Sequence, residues 1–557
     1  MESKFLSLSK TLRAQLIYPL DTTEQEQLDH LIQQLCLNLD MGDSCSKITN
    51  NNIELLNKSG LAQLMPNANL AMQPLTIYQT EQYNYLYLTR YFYYEQFISQ
   101  QLNHLCNNSG SIQTPIFNSV LAELSSKSQQ YDFPNLDQLN SIKESLTRKF
   151  SIITGGPGTG KTTSVVFQIY GQQLKVLIGA PTGKATKRVK ESLQQNIQGI
   201  EKQLGLEVAH INSLLNQAES FGTIHKLLGY IYHSIYFKRN ITNPLDCEVL
   251  IIDESSMISL PLFYKLISAL DVTKIKHLIF LGDPNQLSSV EEGFVFSSLV
   301  NAKNSNRYVS KLTISKRNIG EVGQLANAIL IDDKQQIETL LTTGINLSLQ
   351  EPKLNQILHS ALHGQDNLIN FIHDYNQHYD KEPSLDYIQQ LFSAFTRATI
   401  LSMTNNGSLG VDNLNQQLEA RLKQMLHCHS DWYNGRSILI RENEQGLHNG
   451  DIGICLLINN KPRIYFADGR SFIPECLPKY SLAYAITIHK SQGSEYNLVR
   501  IVIADHSNQT LLSKELIYTA ITRAKTQVEL FASLDPLLNL RPTKRTSGLT
   551  ELMSTTN

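Results

Sequence analysis

Gly155-Gly156-Pro157-Gly158-Thr159-Gly160-Lys161-Thr162, continued by Thr163, follows the pattern G-x-x-x-x-G-K-[ST]. The run before it, Phe150-Ser151-Ile152-Ile153-Thr154, reads as a buried strand, and Lys161 to about Tyr170 can be helical. Strand, glycine-rich loop and helix in that order make a phosphate cradle. Glycines let backbone N–H groups approach a polyphosphate, and the helix N-terminus adds unpaired donors and partial positive charge. In such a loop Lys161 reaches the β- and γ-phosphates and Thr162 can ligate Mg²⁺. The plainer alternative is a glycine-rich turn that joins a strand to a helix.

The chain has 557 residues, enough for several domains, and its hydrophobic fraction of 41% is ordinary for a folded soluble protein. A net charge of −2 gives no global basic footprint, so any nucleic-acid contact must come from a local channel. The seven cysteines are scattered without a C-x-x-C pair, which points neither to a zinc ribbon nor to a disulfide framework. His427-Cys428-His429 has no second ligand cluster nearby and reads as loop or core. No apolar run approaches a membrane span, and MESKFLSLSK lacks a signal-peptide core, so a cytoplasmic location with no membrane partner is expected.

Around the loop the chain changes texture three times. Residues 1–125 carry no phosphate or carboxylate motif and are expected to form a helical domain, with Leu86 to Leu102 as one long aromatic helix. Those aromatics are expected to be core, with a docking surface as the sharper alternative. Then strand-like runs alternate with helical stretches: SIITG at 151, KVLIG at 175, VLIID at 249 and HLIFLG at 277. A second set follows with ATILSMT at 398, LVRIVIA at 498 and QVELFAS at 527. Two α/β units with parallel sheets are expected, over 126–335 and 336–557, and only the first has a phosphate loop. Between 432 and 478, short runs separated by Asn-Gly, Asn-Asn and Asp-Gly predict a small β-insertion with tight hairpins. Residues 230–245 could be another hairpin.

Val249-Leu250-Ile251-Ile252-Asp253-Glu254 is an apolar strand that ends in two carboxylates, about ninety residues after the loop. In a nucleotide hydrolase one such carboxylate belongs to the metal shell and the next to the attacking water. Asp253 takes the first role and Glu254 the second. Gly282-Asp283-Pro284-Asn285-Gln286 ends the next strand, where Gln286 can bond the γ-phosphate or the water, or else close a surface turn. Three polar stretches suit a nucleic-acid backbone: Ala180 to Arg188, Thr223 to Leu228, and Thr487 to Glu495.

These stretches together resemble the ordered motifs of superfamily 1 DNA helicases. The similarity is closest to the RecD family, the alpha subunits of bacterial RecBCD (exonuclease V) complexes. It is carried by GGPGTGKTT at 155, APTGKAT at 180, TIHKLLG at 223, IDESSM at 252, GDPNQLSSV at 282, LTISKR at 312, GLHNGDIG at 446, TIHKSQGSEY at 487 and YTAITRAK at 518.

The resemblance implies two RecA-like motor domains, an SH3-like insertion over 432–478, and an N-terminal domain that docks a partner. It implies ATP with Mg²⁺ as cofactor, and 5′-to-3′ movement on single-stranded DNA. RecB-like and RecC-like subunits would complete a heterotrimer that processes duplex ends for recombinational repair, with the nuclease in the RecB-like partner. By residue, it implies adenine contact at Gln138, γ-phosphate sensing at Gln286, and completion of the site by Arg317 and Arg523. An arginine supplied from outside the loop's own domain is worth about 10³–10⁵ in rate in related chemistry. Pro181, Thr182, Lys184, His225, Thr487, His489 and Ser491 fall in the DNA-contacting motifs. A free-standing helicase and a non-motor regulatory subunit are the alternatives. The intact set Lys161, Glu254, Gln286 and Arg523 speaks against the latter.

Overall fold

The computed structural model describes residues 11–12, 20–65, 73–108, 135–164, 174–204, 219–314, 320–374, 381–504, 512–543 and 545–554, with the isolated residues 122, 126, 213 and 217. Its contacts group into two units: Met1–Ile314 with Lys544–Asn557, and Ser315–Thr543.

The first unit opens with an element the sequence did not announce. β1 (Ser46–Ile48), β2 (Ala62–Leu64), β3 (Leu75–Gln79) and β4 (Asn84–Leu88) form a sheet in the order β1-β4-β3-β2. The expectation of a purely helical N-terminal domain is therefore corrected, among the described residues, to a sheet with the helices Thr22–Asp40, Asn50–Ser59 and Thr89–Asn107. The predicted helix from Leu86 gives its first turn to β4. Tyr85, Leu86 and Tyr87 are all buried, so both faces of that strand are covered and the alternation that marks a strand is hidden. The helix proper buries Tyr91, Phe92, Ile98, Leu102 and Leu105 on one face. Tyr94 stacks on Tyr264 of helix Leu260–Ser268 with ring centroids 4.3 Å apart. These two aromatics thus join the helix to the phosphate-loop domain.

β5 (Phe150–Gly155), β6 (Val176–Ala180), β7 (Phe221–Thr223), β8 (Val249–Ile252), β9 (His277–Gly282) and β10 (Val309–Leu312) form the second sheet, ordered β10-β5-β9-β8-β6-β7. Every pairing is parallel. β8 and β9 are buried along their whole length, which explains why they read as unbroken apolar runs. Because the strands are parallel, the loops after β5 to β9 all leave from one edge, where open α/β sheets bind ligands. Residues 230–245 make two antiparallel bridges, Tyr230–Phe237 and Asn240–Asn243, in place of a laddered hairpin.

In the second unit β11 (Leu347–Gln350) and β12 (Ala398–Ser402) begin a parallel sheet. β13 (Ser437–Ile440), β14 (Ile452–Ile458), β15 (Lys461–Phe466), β16 (Ser471–Phe472) and β17 (Tyr480–Leu482) form a separate antiparallel sheet. β18 (Ala485–Thr487), β19 (Tyr496–Val502) and β20 (Ala524–Phe531) return to the first, ordered β11-β20-β19-β12-β18. Asn459 and Asn460, at φ 49° and 60°, turn β14 into β15. That left-handed pair matches the twist of a two-residue hairpin.

Candidate functional site

β5 delivers its loop with two left-handed glycines, Gly158 at φ 75° and Gly160 at φ 84°. Gly155 has no room for a side chain, since a Cβ there would lie 2.7 Å from Thr159 Oγ1. Thr159 Oγ1 donates to Gly156 O at 2.9 Å and ties the loop across itself. Pro157, Thr159 and Thr163 are buried beneath it. The Lys161 ammonium donates to Gly155 O at 2.5 Å and Gly156 O at 3.0 Å, which curls it over the loop mouth.

Gln138 braces the loop from below. Its side chain completes a capping box with Asn135 at the start of helix Leu136–Thr147. Its Nε2 also donates to Thr159 O at 3.2 Å. The residue selected for a nucleotide role is thus also built into the loop's support.

β8 ends at the two carboxylates. Thr162 Oγ1 donates to Asp253 Oδ2 at 3.4 Å, so hydroxyl and carboxylate face one point. Burial pushes the Asp253 carboxyl up to about 6; Glu254 adds to the rise, while Lys161 and Arg188 oppose it. A buried carboxylate beside a hydroxyl is a hard-oxygen donor pair, and it fits Mg²⁺, which takes few protein ligands and completes its shell with phosphate and water oxygens. Glu254 sits at φ 52°, an uncommon conformation for a non-glycine residue. Its backbone is thus held off the strand path at the place where a water-orienting carboxylate is expected.

Gln286 is buried at 5% exposure. Its N–H closes a turn on Asp283 O at 3.2 Å, and its Nε2 donates to Asp283 Oδ2 at 3.3 Å. The turn therefore faces inward and is not the surface turn of the plainer reading. Arg317 lies outside the described residues.

Two of the nucleic-acid stretches meet at the same edge. β6 and β7 pair with Ala180 opposite Thr223, so the turn with Pro181, Thr182 and Lys184 and the turn with His225 follow neighbouring strands. Thr182 Oγ1 accepts from Ala185 N, and Thr223 Oγ1 from Lys226 N, so each hydroxyl caps the helix that follows. Arg188, which closes the first of those stretches and lies four residues after Lys184 on helix Gly183–Leu204, bears electrostatically on Asp253, a link to the carboxylates that the sequence reading did not make. The i,i+4 spacing from Lys184 was the available signal.

In the second unit Thr487 ends β18 and its Oγ1 accepts from Lys490 N at 3.3 Å. His489 is exposed, whereas Ser491 is buried with its hydroxyl donated to Ile488 O at 2.6 Å. Arg523 is 2% exposed and donates to Thr519 O at 3.1 Å and Ser494 O at 3.4 Å. It pins the stretch ending at Glu495 to the end of helix Lys514–Ile521.

With that geometry in view, a family profile described as an AAA domain matches residues 138–292, and one described as a UvrD-like helicase C-terminal domain matches residues 482–531. The RecBCD enzyme subunit RecD of Haemophilus influenzae is 30% identical over 485 residues, 77% of this chain and 74% of that protein. The chain belongs to the RecD family of superfamily 1 helicases. The RecD subunit of Mycolicibacterium smegmatis is likewise 30% identical, over 70% of each chain. Among solved structures, Bacteroides Pif1 bound to ssDNA is similar at 18% identity and a TM-score of 0.41, covering 72% of this chain and 93% of that one. As a RecD-family protein the chain is an ATP-dependent DNA helicase. Among the described residues no helix is long and apolar enough to cross a membrane.

Proposed function

We propose that the chain is the 5′-to-3′ motor subunit of a RecBCD-type complex, moving along one strand of a DNA end while RecB-like and RecC-like subunits act beside it. One observation carries the reading: the nucleotide loop, Asp253–Glu254 and Gln286 share a sheet edge with the DNA-motif residues Pro181, Thr182, Lys184 and His225. In this reading the two parallel sheets are RecA-like motor domains, the β13–β17 sheet is the SH3-like insertion, and the N-terminal sheet and helices dock the RecC-like subunit. The three-part division at 125 and 335 belongs to the same proposal.

Bound ATP–Mg²⁺ supplies the phosphoanhydride bond whose cleavage drives movement. Lys161 would neutralise phosphate charge, Thr162 and Asp253 would hold the metal, Glu254 would orient water, and Gln138 would contact adenine. Gln286 reports the γ-phosphate. Arg317 and Arg523 would complete the charge stabilisation. Thr487, His489 and Ser491 join the residues after β6 and β7 in holding the strand backbone, which suits sequence-independent contact. Coupling requires that the grip differ between nucleotide states.

The test is DNA-stimulated ATPase and strand displacement by the wild type and Lys161→Gln, alone and with RecB-like and RecC-like partners. Loss of one charge-stabilising donor is expected to cut turnover by about 10²–10³-fold. Equal turnover in both chains, or no DNA stimulation even in the complex, refutes the motor reading.

A further inference from the structure

The segment between helix Ile224–Leu228 and β8 is tied down at its base. Gly229, at φ 73°, turns the chain out of the helix. Lys238 N then donates to Gly229 O at 3.0 Å and Arg239 N to Leu228 O at 2.9 Å, so the chain leaves and returns at one place. Arg239 Nη1 donates to Pro244 O at 3.0 Å and to Asn243 Oδ1 at 3.2 Å, which closes the rest of the segment on itself. The tip, residues 231–236, stands in solvent: Tyr232, Ile235 and Tyr236 are 77%, 72% and 71% exposed.

Among the described residues, one hydrogen bond joins that tip to the body of the first unit. Lys265 Nζ donates to Ile235 O at 2.8 Å. The same ammonium lies 5.3 Å from the centroid of the Phe237 ring, within cation–π range. Phe237 in turn meets His225, with ring centroids 5.7 Å apart. Lys265, Phe237 and His225 thus form a chain of contacts from helix Leu260–Ser268 to helix Ile224–Leu228. The first of these helices gives the chain a fixed origin. Its Phe263, Leu266 and Ile267 are buried in the core, and Leu260 N donates to Glu292 O at 2.9 Å. A solvated surface lysine would have no such fixed partners. An ammonium already engaged with a carbonyl and a ring is placed to hold protein, not phosphate.

We propose that Lys265 is a positioning residue for the DNA grip: through Ile235 O and the Phe237 ring it sets residues 231–237 against His225 and so fixes that imidazole for the strand backbone. The proposal rests on the motor reading of His225. Lys265 needs no contact with DNA or nucleotide for this role. Its loss frees the tip and lets the Phe237 ring leave the imidazole, while the phosphate loop and its carboxylates stay in place.

The experiment compares the full-length wild type with Lys265→Ala, Lys265→Met, Lys265→Arg, His225→Ala, the Lys265→Ala/His225→Ala double variant and Lys274→Ala. Lys274 precedes β9, at the opposite edge of the sheet from the strand ends that carry the motifs, and controls for the loss of one positive charge. Binding of a fluorescein-labelled oligothymidylate is followed by anisotropy over a salt series. ATPase kcat and ATP KM are measured at saturating oligonucleotide, with thermal melting alongside. Lys265→Ala and Lys265→Met are each expected to raise the oligonucleotide Kd about tenfold, the combined reach of one hydrogen bond and one cation–π contact. ATP KM and the saturated kcat stay near wild type, and the salt dependence of Kd keeps its slope. Lys265→Arg, which keeps a cation over the ring and a donor for Ile235 O, binds nearly as the wild type does. So does Lys274→Ala. The double variant binds no worse than His225→Ala, because Lys265 acts through that imidazole.

A Kd within twofold of wild type in folded Lys265→Ala overturns the proposal. So does additivity in the double variant, or an equal loss in Lys274→Ala. A salt slope lower by about 0.7 in Lys265→Ala also overturns it, since that marks a phosphate contact by Lys265 itself. If Lys265→Ala does not fold, Lys265→Met, alone and with His225→Ala, decides by the same limits. A wild type that binds no oligonucleotide, even beside its RecB-like and RecC-like partners, removes the motor reading itself, which distinguishes that failure from this one.

Discussion

Replacing Gly160 by alanine probes how the phosphate loop is held open. The residue sits at φ +84°, and an added Cβ would lie 1.9 Å from Gln138 Nε2 and 3.2 Å from its Cδ. Two costs follow. The left-handed backbone costs an L-residue about 1–2 kcal/mol. The Gln138 side chain must also leave its place, giving up its bonds to Thr159 O and Asn135 N at about 1 kcal/mol each. The sum is about 3–4 kcal/mol, or a few hundredfold in nucleotide affinity if the undistorted loop is the binding form. Gln138→Ala alone forfeits the two bonds, about 2 kcal/mol, together with the adenine contact proposed for this side chain, which the displaced Gln138 of Gly160→Ala loses as well. The sharp expectation concerns the double variant. Once alanine has displaced Gln138, truncating that side chain costs nothing more, so Gly160→Ala/Gln138→Ala should bind like Gly160→Ala. Titration of a fluorescent ATP analogue into the four chains measures this, with far-UV circular dichroism to confirm folding. Additive losses, or wild-type affinity in Gly160→Ala, would refute the packing argument.

Glu254→Asn should lower turnover by at least about 100-fold, while the melting temperature stays level or rises, since asparagine tolerates the left-handed region better than glutamate; a clear fall in melting temperature would deny that the backbone there is strained. Burial raises the Asp43 carboxyl from 3.8 to about 6, and Arg545 with the Thr546 N–H partly offsets the rise. Its folded value lies above the unfolded one, so its contribution to stability is fully present below about pH 3.8 and is lost as pH rises through 6. Relative to Asp43→Asn, the wild type should therefore gain melting temperature between pH 7 and pH 5; a flat difference would reject the buried carboxyl. Arg500, 2% exposed, donates to Ser360 Oγ at 2.7 Å and Glu529 Oε2 at 3.2 Å. Arg500→Leu should cost about 3–5 kcal/mol in chemical denaturation, because it strands a buried carboxylate, and Arg500→Leu/Glu529→Leu should cost less than that single variant. A double variant at least as unstable as Arg500→Leu would contradict this.

What the sequence made legible were features whose cause is local. A glycine at φ +84°, a threonine capping the next helix or an apolar run in a parallel sheet each follows from a few neighbouring residues. The runs at 151, 175, 249, 277, 398, 498 and 527 accordingly became β5, β6, β8, β9, β12, β19 and β20. β4 was misread as helix because Tyr85 to Tyr87 are buried on both faces, and an apolar run of that length has no decisive period. β11 escaped because Leu347-Ser348-Leu349-Gln350 is four residues at a sheet edge, supported by pairing with β20 and not by its own pattern. The segment 545–554 was read with the second motor domain, yet its contacts place it in the first unit. Its attachments include hydrogen bonds to groups hundreds of residues away, such as Thr546 to Asp43 and Gly548 to Tyr87, beside the burial of Leu549 and Met553, and no local pattern announces such partners.

Strand order adds a functional division that sequence order conceals. Along the chain, nucleotide and DNA motifs alternate: β5, then β6 and β7, then β8 and β9. Across the sheet they separate, with the nucleotide residues after the contiguous strands β5, β9 and β8, and the DNA-motif residues after β6 and β7. The boundary falls between β8 and β6, where Asp253 N donates to Gly179 O at 2.9 Å. Arg188, on the helix that the Pro181–Lys184 turn begins, bears electrostatically on Asp253 across that boundary. At about 4.8 Å per strand, four steps put the end of β7 about 19 Å from the end of β5. A phosphate-dependent change at Asp253 is thus one strand away from the first DNA-motif turn. A displacement of β8 relative to β6 acts on Gly179, where a Cβ would lie 2.7 Å from Leu227 of the TIHKLL helix. Leu227 thus packs against the bare backbone of Gly179, and in the proposed motor this packing links the carboxylates to the turns after β6 and β7. In the proposed motor, sheet order, more than any one motif, is what would let the phosphate site drive a grip on DNA.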